Sequence, residues 1–297
     1  MDQLPRPIAL VSARAARDLD EDLPPLLAAF HARRLAVEVV DWDDGQADWS
    51  RYTLALLRST WDYTTRLPEF LAWLGRAASL TRLHNPPEVV RWNVDKHYLG
   101  ELGRLDLAVV PSRFVEPGQP APAALREFLE RHPEHELVVK PAVGAGSRDA
   151  QRYGRDEGAA IIAHLERLLA AQRSVLLQPY LERVDEQGET ALIYFDGRFS
   201  HAIRKAALLQ RGTEPTRALF AAEKIEPRAP GADELQLAGR VLAALPFRMP
   251  LYARVDLIRD ADGAPRVLEL ELTEPSLFFN YAPGAAERCV AAVAARL

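Results

Sequence analysis

The pattern of apolar and polar positions divides the chain early into short runs. Residues 7–12 (PIALVS) form an apolar run ended by serine, and a charged stretch, 14–22, follows. Residues 23–34 set Leu26, Leu27 and Phe30 at helical spacing. Residues 35–41 (LAVEVVD) and 53–57 (TLALL) are short and rich in β-formers, which predicts strands. Strand, helix, strand, strand in that order predicts an α/β unit with at least partly parallel pairing. A helix over 67–78 and a turn at His84-Asn85-Pro86-Pro87 close this unit near residue 90. In such sheets functional residues gather beyond the carboxyl ends of strands, and Arg58 to Tyr63 (RSTWDY) stands at such an end.

From residue 89 the pattern changes. It predicts a helix over 90–102, a short strand at 108–111, and a helix over 121–131 with Pro122 near its start. A strand at 137–140 (LVVK) leads into a loop. An amphipathic helix over 156–171 carries Ile161, Ile162, Leu165, Leu168 and Leu169, and a strand follows at 175–178. Further on, 191–195 and 199–205 flank Asp196-Gly197, a hairpin signal. Residues 210–231, with three prolines and mixed charge, read as a mobile loop. A helix over 233–244, strands at 252–258 and 265–272 joined by a turn at 260–263, and a terminal helix over 285–297 complete the reading.

Composition narrows the function. With 48% hydrophobic and 27% charged residues over 297 positions, the chain reads as a soluble globular protein of about two domains. A net charge of −5 speaks against a nucleic-acid partner. No apolar run approaches the roughly 18–20 residues that span a bilayer. Residues 1–8 carry Asp2 and two prolines and lack the features of a signal peptide, so a cytoplasmic protein without membrane contact is expected. The single cysteine, Cys289, excludes an intramolecular disulfide and a cysteine-rich zinc site, and its Ala/Val-rich surroundings predict buried packing. His132 and His135 read as a solvated turn and His97 as structural. Trp42, Trp49, Trp73 and Trp92 read as core or rim, while the loop of Trp61 faces the cleft.

Three stretches carry chemistry. In Leu137-Val138-Val139-Lys140-Pro141-Ala142-Val143-Gly144-Ala145-Gly146-Ser147 a buried strand delivers a lysine and a glycine-rich loop follows at once. Glycine lets backbone N–H groups approach a phosphate closely, and the lysine adds a point charge. The lysine precedes the glycines, so this is not a Walker loop. In Arg254-Val255-Asp256 and Leu268-Glu269-Leu270-Glu271, alternation sends Glu269 and Glu271 to one face, with Asp256 across from them and Leu268 and Leu270 packing the other face. Facing carboxylates repel unless a cation lies between them, and all-oxygen ligation suits Mg²⁺ or Mn²⁺. The third stretch, 175–182 (VLLQPYLE), is an apolar strand breaking at Pro179 into a linker whose backbone groups are open to an adenine edge.

Taken in order, these pieces resemble the ATP-grasp superfamily, and most of the chain is similar to prokaryotic glutathione synthetase. The elements that carry the likeness are Leu57-Arg58, Asn85-Pro86-Pro87, Lys96 in Trp92-Asn93-Val94-Asp95-Lys96, the loop with Lys140, Gly144 and Gly146, the hinge Gln178, Tyr180 and Leu181, Gly188-Glu189, and the closing carboxylates. Arg254-Val255-Asp256 also looks like D-alanine–D-alanine ligase. The resemblance implies an α/β (α+β) ATP-grasp fold: an N-terminal Rossmann-like pre-ATP-grasp domain (1–90), a lid subdomain (91–182) and a C-terminal subdomain (183–297).

By the same resemblance, Lys96 and Lys140 would hold the α- and β-phosphates of ATP, and Gly144 to Ser147 would fold over the β- and γ-phosphates. Gln178, Tyr180 and Leu181 would border adenine, and Glu189 or Glu182 would bind the ribose hydroxyls. Asp256, Glu269 and Glu271 would hold two Mg²⁺, with Mn²⁺ as a substitute. Arg204 would meet the γ-phosphate or acyl phosphate, and Arg254 would stabilise the oxyanion of the tetrahedral intermediate. Arg58, Ser59, Trp61 and Asp62, with Ser276, would contact a small amino-acid-like substrate; a homodimer is compatible with this. The chain departs from the family at Glu271, where asparagine is usual, and at Glu189-Thr190-Ala191, which lacks the family's Asp-Lys-Arg, leaving Arg204 or Lys205 to supply that charge. The group most similar is the cycloserine-biosynthesis ligases, in which an O-ureido-serine closes on itself. An intermolecular amino-acid ligase and a non-catalytic ATP-binding scaffold are the alternatives.

Overall fold

The structure is a computed structural model and describes residues 6–212 and 224–297. The first sheet grows from β1 (Ile8–Ser12), every residue of which is buried. A strand covered on both faces belongs in the middle of a parallel sheet. After α1 (Leu23–Ala32) come β2 (Val37–Asp41), β3 (Leu54–Ser59), α2 (Leu67–Leu80) and β4 (Arg82–His84). The sheet order is β2-β1-β3-β4, parallel throughout. Leu23, Leu26, Ala29 and Phe30 turn one face of α1 inward; Phe70, Trp73, Leu74 and Ala77 do the same for α2. Trp42, Trp49 and Trp73 are core residues as expected: the Trp49 and Trp73 rings meet edge to face at 5.2 Å.

The helix expected over 90–102 is two helices, α3 (Pro87–Asn93) and α4 (Tyr98–Arg104). Asn93 causes the break. Its amide bonds Leu270 O and Leu272 N, both at 2.7 Å, so α3 ends against a distant strand. Asp95 then accepts from His97 N, and Lys96 N donates to Ala142 O. No strand forms at 108–111, where Pro111 lacks a donor; Val109 makes only a single bridge to Val267. The strand lies later, at β5 (Arg113–Val115).

The second sheet, β5-β8-β6-β7, adds β6 (Glu136–Pro141), β7 (Gln151–Gly154) and β8 (Val175–Pro179), with α5 (Ala121–Arg131) and α6 (Gly158–Ala170) on one face. Strand alternation sorts its side chains. Leu137, Val139, Val175 and Leu177 join Leu125, Phe128, Ile161 and Leu165 under the helices. Val138, Lys140 and Gln178, on the other parity, face a cavity. Pro179 does not break the ladder as expected: it is the last residue of β8, in register with Leu137, and Tyr180 N continues with a bond to Glu136 O.

After α7 (Arg183–Gln187) the third sheet has the order β11-β10-β9-β12-β13, antiparallel. Its strands are β9 (Glu189–Phe195), β10 (Arg198–Lys205), β11 (Ile225–Arg228), β12 (Tyr252–Arg259) and β13 (Pro265–Glu271). Asp196 and Gly197 both have left-handed backbones (φ 50° and 73°), the geometry a two-residue hairpin loop needs. Of the loop expected over 210–231, residues 213–223 lie outside the described residues, and 225–228 form β11 on the edge of β10. Helix α8 (Ala232–Ala243) covers Leu192, Val255, Leu257 and Leu270. The terminal helix α9 (Ala285–Ala294) carries Cys289, 3% exposed, into a core shared with Leu26 and Phe30 of α1 and Ile193 and Phe195 of β9. One hydrophobic core thus spans the first and third sheets. Among the described residues no helix is long and apolar enough to cross a membrane.

Candidate active site

A cavity opens where the three sheets meet. Its floor is the β12–β13 hairpin. One wall is the cavity face of β6 and β8 with the glycine loop, and the other is the segment between β1 and α1 together with Trp61. One end is an apolar slot lined by Val138, Tyr180, Leu181, Ile258 and Leu268. Leu268 was expected on the opposite face. A bulge between Asp256 and Leu257 shifts the register, so that Leu268 and Glu269 both reach the cavity.

On the floor, acids and bases interlock. Asp256 is in register with Glu269, and Arg254 with Glu271. Lys140 Nζ lies 2.7 Å from Glu269 Oε1, and Lys96 Nζ lies 3.8 Å from Oε2 and 2.7 Å from Gly144 O. Two lysines from separate elements therefore converge on one carboxylate. Lys205 Nζ bridges Glu189 and Asp256, 2.8 Å from each, and the Arg254 guanidinium grips Asp256 through two bonds of 2.8 Å and also meets Glu271. Gly188 permits this closeness: at φ 69°, with any Cβ placed 2.3 Å from Lys205 O, only glycine lets β9 start there.

The carboxyls respond in opposite directions. Burial would raise Glu269, but Lys140 and Lys96 outweigh it and hold the group at about 2. Burial likewise opposes Asp256, and Arg254 and Lys205 bring it below the usual range. Glu271 is pushed up to about 7 by burial, with the charges of Asp256 and Glu269 adding to that and Arg254 opposing it. Burial also raises Glu189, against Lys205. Glu274 rises to about 8 through burial and the nearby Glu271, and it accepts a hydrogen bond from Tyr63.

Among the described residues no three acidic, histidine or cysteine side chains gather into a ready metal cage. The carboxylates of Asp256, Glu269 and Glu271, expected to converge on divalent ions, are each taken by a basic side chain. The donors still fit such ions: they are all oxygens, and all three residues line the cavity. Lys96, Lys140, Lys205 and Arg254 are matched by Glu189, Asp256, Glu269 and Glu271, so a polyphosphate entering here would bring negative charge that these side chains alone do not neutralise.

The expected site residues divide. Lys96, Lys140, Gly144, Gly146, Ser147, Gln178, Tyr180, Leu181, Glu189, Arg254, Asp256, Glu269, Glu271, Trp61 and Ser276 all line the cavity. Gly146 and Ser147 are left-handed (φ 61° and 58°), which folds the loop tightly above Lys96. Gln178 donates to Ser112 Oγ at 2.9 Å, and Arg152 lies 3.6 Å over the Tyr180 ring. Arg204 does not face the cavity. It has the parity of Ala202, and its guanidinium donates to Glu186 O and Gln187 O; Lys205, one residue on, takes the inward place. Arg58, expected at a strand end, and Ser59, expected in the loop after it, both lie in β3 and were expected to contact the substrate. Arg58 is 1% exposed, 3.2 Å from Asp22 and bonded to Pro275 O, while the Ser59 hydroxyl meets that of Ser12. Asp62 accepts from the Trp42 indole and pairs with Arg66, and Glu182 immediately precedes α7, away from the cavity wall. The cavity residues that sequence reasoning missed include Asp20, Glu21, Asp22, Arg148, Glu274 and Asn280, and Lys205 as the inward cation of its pair. The acid-rich run 18–22 and the lone Glu274 beside Pro275 were the available signals.

The chain is similar to known proteins over nearly its whole length. The family model described as "D-cycloserine synthetase DcsG, N-terminal domain" matches residues 8–85. The cycloserine biosynthesis protein DcsG of Streptomyces lavendulae is 43% identical over 297 residues, covering 98% of each chain. The crystal structure of D-cycloserine synthetase DcsG superposes with a TM-score of 0.91 at 42% identity, over 97% of this chain and 99% of that one. D-alanine–D-alanine ligase from Bacillus anthracis complexed with ATP gives a TM-score of 0.69 at 15% identity, over 98% and 96% of the two chains. The ATP-grasp ligase PsnB complexed with its minimal precursor, Mg and ADP gives 0.66 at 18%, over 99% and 98%.

Proposed function

The chain belongs to the cycloserine biosynthesis protein DcsG family, ligases of the ATP-grasp fold, and on that premise we propose that it is an ATP-dependent, ADP-forming carboxylate–amine ligase that cyclises an O-ureido-serine-like amino acid. A carboxylate is a poor acyl donor. Transfer of the γ-phosphoryl group to it makes an acyl phosphate and leaves ADP. The substrate's own nitrogen then attacks the acyl carbon, phosphate leaves, and the nitrogen gives up a proton.

The chain's residues serve this by position and charge. Lys96 and Lys140 exchange Glu269 for phosphate oxygens, and the loop from Gly144 to Ser147 closes over them. Gln178, Tyr180 and Leu181 border the base in the apolar slot. Glu189, the one of the two ribose candidates on the cavity wall, takes the ribose hydroxyls. Asp256, Glu269 and Glu271 would hold Mg²⁺, which when bound supplies neutralising charge to the phosphates. Arg254, anchored on Asp256 and on Ser276 O at 3.1 Å, presents charge to the oxyanion. Lys205, not Arg204, supplies the further cation. Trp61, fixed by its indole bond to Glu274 O, and Ser276 border the amino-acid end.

The observation that carries this reading is the convergence of Lys96 and Lys140 on Glu269 above the β12–β13 carboxylates. Phosphate release from ATP and O-ureido-serine tests it. Lys140→Ala and Glu271→Gln should each reduce turnover by about a hundredfold or more, the scale on which charge-stabilising groups act. Wild-type rates in either variant would remove these residues from the site. A demand for a separate amine would favour the intermolecular ligase, and ATP binding without phosphate release the scaffold.

A further inference from the structure

Lys96 belongs to a closed ring of hydrogen bonds outside the cavity. Its backbone N donates to Ala142 O at 3.0 Å, just after β6, and Ala142 N donates to Ser174 O at 2.8 Å, just before β8. The Ser174 hydroxyl donates to Glu116 Oε2, just after β5. Glu116 Oε1 lies 2.9 Å from Nε2 of His97, the neighbour of Lys96, and this closes the ring. The other nitrogen, Nδ1, lies 2.6 Å from Asp95 Oδ1. Asp95 and Glu116 are thus the charged groups that face the imidazole, and from β5 Phe114 stacks on it with ring centroids 4.0 Å apart. A neutral imidazole carries one N–H and can donate to one carboxylate; only the imidazolium donates to both. The aromatic face beside it also suits a cation. Burial would lower the His97 pKa, but the bonds and charges of Asp95 and Glu116 outweigh it and raise it above the ordinary histidine value. The side chain is 40% exposed, so solvent protons reach it and its ion pairs are partly screened.

We propose that His97 is a positioning residue whose imidazolium, spanning Asp95 and Glu116, holds Lys96 and the root of the glycine loop in place for the phosphates of the nucleotide, so that nucleotide binding weakens as pH rises. This rests on the reading of Lys96 as a phosphate ligand. Above the His97 pKa one carboxylate loses its donor and the ring opens. Below it the ring is closed, and Lys96 stands over Gly144 O, 2.7 Å away, ready for the phosphates.

The test is calorimetric binding of ADP with Mg²⁺ between about pH 6 and 9, in wild type, His97→Gln and His97→Lys. It needs no amino-acid substrate and no turnover. Glutamine keeps one donor without charge; lysine keeps a charge that does not titrate in this range. His97→Gln should raise Kd at pH 6 by about three- to tenfold, the scale of two partly exposed ion pairs, and should lose the part of the pH dependence that His97 supplies. His97→Lys should bind more tightly than His97→Gln at pH 9, with the same flattening. Glu271 and Glu274 are common to all three proteins and cancel in the comparison. Wild-type affinity in His97→Gln at pH 6, or the wild-type pH dependence kept in both variants, would overturn the role of His97 while ADP binding left the nucleotide site standing. No ADP binding by wild type at any pH would overturn the nucleotide site, and the role of His97 with it.

Discussion

Glu269 and Glu274 stand five positions apart and titrate in opposite directions. Glu269, at about 2, has two ammonium groups; Glu274, at about 8, has burial and a neighbouring acid, which the Tyr63 hydroxyl and the charges of Lys96 and Arg254 only partly offset. The consequences for stability have opposite signs. Folded Glu274 keeps its proton to about pH 8, while the unfolded chain releases it near 4.5. Its contribution is present at acid pH and is lost as pH rises through that window. Glu269 contributes above its unfolded value and loses that only as pH falls toward 2. Replacing Glu274 by Gln should therefore flatten the fall in unfolding free energy between pH 5.5 and 8, by at most about 1.4 kcal/mol per pH unit for one proton. Urea midpoints across that range measure it, and an unaltered slope would contradict the assigned state of Glu274. The choice between Arg204 and Lys205 was open in the sequence for a related reason. Strand alternation says that they point apart, but which one points inward depends on the sheet's partner, here α8 on the Ala202 side.

Elements with a strong period of their own were legible: the helical spacings at 121–131 and 156–171 fall on α5 and α6, and the signal at Asp196-Gly197 falls on the β9–β10 turn. Elements that exist only because of a neighbour were not. Strand β7 is polar at Gln151 and Arg152 and is held by pairing with β6; β11 is held by β10. The gap between α3 and α4 likewise comes from Asn93 bonding to β13. Replacing Asn93 by Ala would leave Leu270 O and Leu272 N buried without partners, a cost of about 2–5 kcal/mol. Because this joint also presents Lys96, KM for ATP should rise in the same variant. A loss of stability under about 1 kcal/mol in urea denaturation would mean that the joint is held by something else.

The order of motifs along the chain was enough to suggest the ATP-grasp arrangement, because each motif ends an element that the fold brings to one cavity. What the order did not disclose is how firmly the ends of the chain are fastened together. Asp22, after β1, bonds the amides of residues 277–279, and α9 lies on α1, so the first and last segments form one continuous core. The cysteine at position 289 is at that seam, with burial pushing its thiol up to about 12. Chemically it is asleep for as long as the two ends stay joined. Iodoacetamide should modify the native enzyme only as fast as α9 lifts away, orders of magnitude more slowly than in urea, and rapid modification of the native form would show the ends to be loosely held. The enzyme thus carries its own clock for separation of its halves, readable by mass spectrometry without any engineered label.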